Sequence, residues 1–184
     1  MVKAQNEKFA VSEVIARWAY SEITEGTLSH NYDAFPGIEE LRAKRREGRK
    51  FAELSEGDRY ALAFQCSAAR PNLMIFNAGV DWFRKIELTR DGLAKALVPP
   101  MVTGLPEIMS FEHYVNSTTH VDPKDARNVE GNPTGYQSPT EPLTIGRYYE
   151  HHVLIDGYHR AVRFWKSTPA NATIEAFVPL RCER

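Results

Sequence analysis

Residues 152–166, His-Val-Leu-Ile-Asp-Gly-Tyr-His-Arg-Ala-Val-Arg-Phe-Trp-Lys, hold the densest set of side chains that could do chemistry. Val153, Leu154 and Ile155 read as a short buried strand, and Asp156-Gly157 breaks it. From Tyr158 the period changes: Tyr158, Ala161, Val162 and Trp165 fall at i, i+3, i+4 and i+7, one face of a helix. His159, Arg163 and Lys166 share another face, with Arg160 beside them. A helix start offers unpaired backbone N–H groups and the positive end of the dipole, glycine lets an anion approach, and an arginine grips it with paired hydrogen bonds. The chemistry expected is therefore phosphate binding by Gly157, Tyr158, His159, Arg160 and Arg163.

Hydrolysis would add a general base, for which His159 is the obvious side chain near neutral pH, with Arg160 stabilising charge. Asp156 completes the catalytic set and is the expected ligand of a magnesium ion shared with substrate phosphates. Glu141 or Glu150 could position water or metal. A three-histidine zinc site is not expected, because His151 and His152 are adjacent on a strand and point to opposite faces. In the structural alternative Asp156 caps the helix, His159 bonds a backbone carbonyl and the arginines are solvated. The phosphate reading would fall if Arg160 were held in an internal ion pair with Gly157 shut away from solvent.

The run Leu154-Ile155-Asp156-Gly157-Tyr158-His159-Arg160 resembles the G-x-H-R or G-x-R-R signature of the ParB/sulfiredoxin superfamily. Pro142-Leu143-Thr144-Ile145 resembles the preceding family strand, and residues 172–178 the strand after the helix. The resemblance spans about 141–178, with a weaker stretch at 84–97. It implies an α+β fold: a ParB/sulfiredoxin-like small mixed sheet with flanking helices, here with an added N-terminal helical part. It also implies a nucleotide, ATP or another, as substrate. Tyr158 stands where sulfiredoxins carry their cysteine, and a phenol cannot replace that thiolate, so sulfiredoxin repair is not expected. ParB partition proteins have glutamate there and arginine next, so their nucleotide switch does not carry over intact. Size and layout are similar to the small plasmid-encoded members of the oncogenic-suppression and fertility-inhibition type. That likeness implies ATPase and DNase activity that blocks conjugative or T-DNA transfer, and a protein partner in such a system. The alternatives are a non-catalytic nucleotide- or DNA-binding module and a purely protein-binding inhibitor.

The elements that must position these residues follow from pattern. With 184 residues, 42% of them apolar, the chain suits one structural unit: residues 1–70 as a helical part packed on the core, residues 71–184 as the ParB-like domain. Ser12 is expected to cap a first helix carrying Val14, Ile15 and Trp18, and Ser55 with Asp58 a further one running to Ala69. Between them residues 38–51 read as a helix, with Glu39 and Glu40 at its start. Arg42, Lys44, Arg45, Arg46, Arg49 and Lys50 are the expected contacts to a DNA backbone, without sequence readout; the alternative is a solvated helix. Strands are expected at 73–76 and 82–88, short helices at 93–97 and 111–115, and a long loop at 117–142 that could close as a lid. A net charge of −1 argues against a basic coat, so polyanion contacts must be local. Cys66 and Cys182 give no disulfide framework or zinc ribbon; with no apolar leader or spanning segment, a cytoplasmic protein away from membranes is expected.

Overall fold

The computed structural model describes residues 7–23, 32–69, 79–99, 108–117 and 142–180. The expected strand at 73–76, nearly all of the 117–142 loop, Glu141 and Cys182 lie outside them. The architecture is α+β, with strands β1 (Lys8–Ala10), β2 (Trp82–Thr89), β3 (Leu97–Val98), β4 (Met109–Ser110), β5 (Leu143–Tyr148), β6 (His151–Asp156) and β7 (Thr173–Pro179). The helices are α1 (Val11–Glu22), α2 (Ile38–Arg46), α3 (Glu56–Ala69), α4 (Arg90–Ala94), α5 (Phe111–Asn116) and α6 (Tyr158–Ser167). All seven strands join one mixed sheet in the order β1-β2-β7-β5-β6-β3-β4, in which β7 runs parallel to β5 and β3 to β6.

Both faces of the sheet are covered, as the period-two alternation of β7 requires. Ile174, Ala176 and Val178 pack with Leu143, Ile145 and Leu154 against Val162 and Phe164 of α6. On the opposite face Phe177 packs with Phe9 and Phe83, the first two rings edge to face at 5.0 Å. Beside them lies a second core, in which Trp18 and Ala19 of α1 and its C-cap Ile23 meet Leu41, Phe51, Leu54 and Leu62, with Ile155 of β6 against it.

The N-terminal part is not purely helical. Lys8, Phe9 and Ala10 pair antiparallel with Arg84, Phe83 and Trp82, so the expected boundary at residue 70 cuts through one sheet. This also moves the first helix start. Ala10 is its N-cap and has no side chain to cap with; the backbone N–H of Val11 instead donates to the Asp81 carbonyl at 3.3 Å. Ser12 therefore lies in the first turn, and the edge of the sheet does the work a capping hydroxyl would do.

Helix α2 stops at Arg46, five residues before the expected end. Gly48 takes φ +80°, its N–H donates to the Arg45 carbonyl, and the Arg49 N–H donates to that of Lys44, each at 3.0 Å. This left-handed C-terminal cap satisfies two open carbonyls and turns the chain sharply. Arg49 and Lys50 consequently leave the helix axis, and Phe51 drops into the core. Helix α3 begins as expected: the Asp58 N–H donates to Ser55 Oγ at 3.1 Å, and the Ser55 N–H donates to the Asp58 carboxylate at 3.3 Å.

Candidate functional site

The strand-to-helix junction forms where the sequence places it. β6 ends at Asp156, Gly157 takes φ +93° as N-cap, and α6 begins at Tyr158. What the junction grips is the protein itself. Arg160 Nη2 lies 2.6 Å from Asp156 Oδ2, with both side chains about four-fifths buried, and Arg160 Nη1 donates to the Pro142 carbonyl at 3.2 Å. Gly157 is buried, and a Cβ on it would come within 2.5 Å of Leu143 Cδ2 and 3.1 Å of Arg160 Nη2. Glycine is needed here so that a leucine and a guanidinium can close over the backbone, not so that a phosphate can approach it. This corrects the anion-facing roles expected of Gly157 and Arg160.

Tyr158 is corrected likewise. Its hydroxyl donates to the Leu154 carbonyl, one turn back across the junction. Burial, then the charges of Asp156 and Tyr114, hold its phenol far above the usual tyrosine range, so it stays a neutral donor. Asp156 does not cap α6, and one of its carboxylate oxygens is taken by the Arg160 guanidinium. His159 and Arg163 are exposed on α6, and His151 and His152 are exposed at the start of β6. Glu150 sits in the β5–β6 turn, six residues before Asp156 along β6, roughly 20 Å at the usual rise per residue. It cannot join Asp156 around one small substrate.

The basic segment divides in two. Arg42 is buried and spent on structure: Nε donates to the Ile23 carbonyl at 2.8 Å, Nη1 meets Glu39 at 2.6 Å and Nη2 meets Asp33 at 2.5 Å. The hydrogen bonds it donates to Asp33 and Glu39 raise its already high pKa. Lys44 joins α2 to α3 by pairing with Glu40 at 2.8 Å and Asp58 at 3.0 Å. Both cations are thus engaged within the protein. Arg45, Arg46, Arg49 and Lys50 have no carboxylate side-chain partner among the described residues, and Arg46, Arg49 and Lys50 are exposed.

Three of those four cations line one concavity of about 560 Å³ between the end of α2 and the second face of the sheet. Arg45, Arg49 and Lys50 form one wall, and Lys85 of β2 and Arg17 of α1 contribute from the others. Phe9, Phe51, Phe177 and Pro142 supply apolar surface, and Glu7 and Glu175 are the two lining carboxylates. Three of the five cationic groups are held in place. The Arg17 guanidinium stacks 4.6 Å from the Phe51 ring centre and pairs with Glu13 at 2.9 Å; that of Arg45 lies 5.4 Å from the ring of Tyr20. The Tyr20 hydroxyl donates to the Arg49 carbonyl at 2.9 Å and so anchors the turn that aims Arg49 and Lys50. Lys85 pairs with Glu175 at 2.9 Å across neighbouring strands.

Pro142 connects the two regions. It lines the cleft, and its carbonyl is the one Arg160 holds. Sequence reasoning found Arg45, Arg49 and Lys50 by charge density but missed Arg17, Lys85 and the phenylalanine walls. An isolated cation on an amphipathic helix or strand carries no local signal; only the pairing of β1, β2 and β7 gathers them. No family model, no curated protein and no solved structure matches this chain.

Proposed function

We propose that the protein is a phosphate-binding module that holds a nucleotide or nucleic-acid backbone at the basic cleft without turning it over. The observation that carries this reading is the convergence of Arg45, Arg49 and Lys50, none paired with a carboxylate among the described residues, on one concavity. The Arg45 guanidinium is held over an aromatic ring, and the helix cap sets the backbone from which Arg49 and Lys50 project, which reduces the freedom lost on binding phosphate oxygens. With a net charge of −1 for the whole chain, the attraction is local. Polarisation titrations of labelled DNA at several salt concentrations test it. Replacing Arg45, Arg49 and Lys50 together by alanine is expected to abolish retention at moderate salt and flatten the log–log salt slope by about 2 to 3. Unchanged affinity and slope would overturn the reading.

Kinship with the ParB/sulfiredoxin superfamily belongs to the same proposal. What supports it is the succession of β5, β6, a left-handed glycine, α6 and β7 beside β5. A second reading, ATP hydrolysis with DNA cleavage directed at transferred DNA, is favoured by His159, exposed in the first turn of α6. It requires the Asp156–Arg160 pair to open so that arginine, aspartate and a magnesium ion can reach phosphate. Phosphate release from ATP and nicking of supercoiled plasmid, with magnesium and with chelator, decide it. Turnover that vanishes in Arg160→Ala but persists in the cleft triple variant would establish the junction as the site.

A further inference from the structure

Neither face of the sheet is bare as a whole, but one corner of it runs past the helices. Side chains alternate along β2, so Phe83, Lys85 and Glu87 turn to the cleft side and Trp82, Arg84, Ile86 and Leu88 to the α6 side. Ile86 and Leu88 pack against the α6-side core, whereas Arg84 is exposed and Trp82 is 47% exposed. Strand β1 sets Lys8, itself exposed, directly opposite Arg84, and Ala10 opposite Trp82. Like charges facing each other across two strands cost stability, and neither cation has a carboxylate partner among the described residues. The acids of β2 and β7, Glu87 and Glu175, face one another on the other side of the sheet. Alanine is too small to cover an indole, so a bare ring lies beside two cations that the fold leaves unneutralised.

We infer that this corner is a second contact site, for single-stranded nucleic acid: a base stacks on Trp82, and the adjoining phosphate bridges Lys8 and Arg84. Residues i and i+2 of a strand stand about 7 Å apart, a reach that suits a base and the phosphate beside it. An anion between Lys8 and Arg84 turns their repulsion into attraction. Stacking on an aromatic side chain serves any base, but only a single strand has base faces to offer. An acidic peptide would use the cations and leave the indole without a role. A lipid surface would need a wider apolar patch than one ring among polar neighbours. The site shares no residue with the basic cleft and lies on the opposite face, so it stands apart from the reading of the cleft.

Polarisation titrations of the full chain with labelled oligothymidylate test the assignment, beside a labelled duplex that reports on the cleft. Trp82→Ala is expected to weaken the oligothymidylate about tenfold and leave the duplex unchanged, and Trp82→Tyr to keep most of the affinity. Lys8→Gln combined with Arg84→Gln is expected to lower the single-strand log–log salt slope by about 1.4. The same pair is expected to hold or raise the thermal midpoint, since a repulsion goes with it. With Arg45, Arg49 and Lys50 replaced by alanine, the oligothymidylate is expected to stay bound while the duplex is shed. Single-strand affinity indifferent to Trp82→Ala, or lost in that triple variant, would overturn the site and leave the cleft standing. Equal weakening of single strand and duplex by Trp82→Ala, or displacement of the oligothymidylate by polyglutamate of equal charge, would show a contact of charge alone and overturn it too. Single-strand binding lost in Trp82→Ala, with duplex binding untouched in the triple variant, would keep this site and remove the reading of the cleft.

Discussion

At the scale of single residues, Arg160 and Gly157 show how a motif can be read correctly and assigned to the wrong partner. The order strand, glycine, helix and the identity of each side chain were legible in the sequence. Which way the guanidinium turned was not, because Asp156 at the end of β6 competes with any external anion across the Gly157 turn. Arg160→Ala leaves a mostly buried carboxylate and an unmet Pro142 carbonyl, so it is expected to cost about 1–3 kcal/mol in denaturant unfolding. Gly157→Ala combines the left-handed backbone with the approach to Leu143, and about 2 kcal/mol or more is expected. If Arg160→Ala were as stable as the parent, the internal pairing would contribute nothing and the anion-facing role would regain its ground.

Elements set which cations are available. The order of charges located α2, since Glu39, Glu40 and the basic last turn fit its dipole. It overran the end, because Gly48 acts through a left-handed backbone conformation rather than through any side chain. A Cβ at Gly48 meets nothing within 4 Å, so Gly48→Ala isolates the conformational effect. It is expected to cost about 1–2 kcal/mol and to weaken DNA retention, since Arg49 and Lys50 lose their aim. Affinity unchanged at reduced stability would separate the cap from the cleft. The α2–α3 link brings a pH dependence. Partial burial pushes the Asp58 carboxyl up, but hydrogen bonds from Lys44 and Ser55 outweigh it and leave its pKa below the usual aspartate range. Its contribution is thus present above the unfolded aspartate pKa near 4 and fades as pH falls through the lower folded value. Urea midpoints measured from pH 6 down to pH 2 should fall less steeply in Lys44→Met than in the parent.

For the whole molecule, the fold class was legible and the way its parts are joined was not. Three residues, Lys8 to Ala10, tie the first third of the chain to the sheet, and nothing in so short a run announces a strand. Adjacent residues of β6 serve opposite cores: Leu154 belongs to the α6 side, and Ile155 packs against the α1 side. The sheet therefore has no spare face. A fragment of residues 79–180 would bare Phe83, Phe177 and Ile155 to water, and it is expected to be insoluble or molten, with no cooperative thermal transition. A soluble fragment melting sharply would restore the division at residue 70. No helix among the described residues is long and apolar enough to cross a membrane.

One bond between distant parts has a mechanical consequence. The carbonyl that Arg160 clasps belongs to a proline that lines the cleft. Pressure on that wall is therefore transmitted to the opening turn of α6 without any ligand touching the helix. Hydrogen exchange at the amides of Ala161 and Val162 becomes a remote gauge of occupancy, slowing when the wall is braced and indifferent when the clasp is cut.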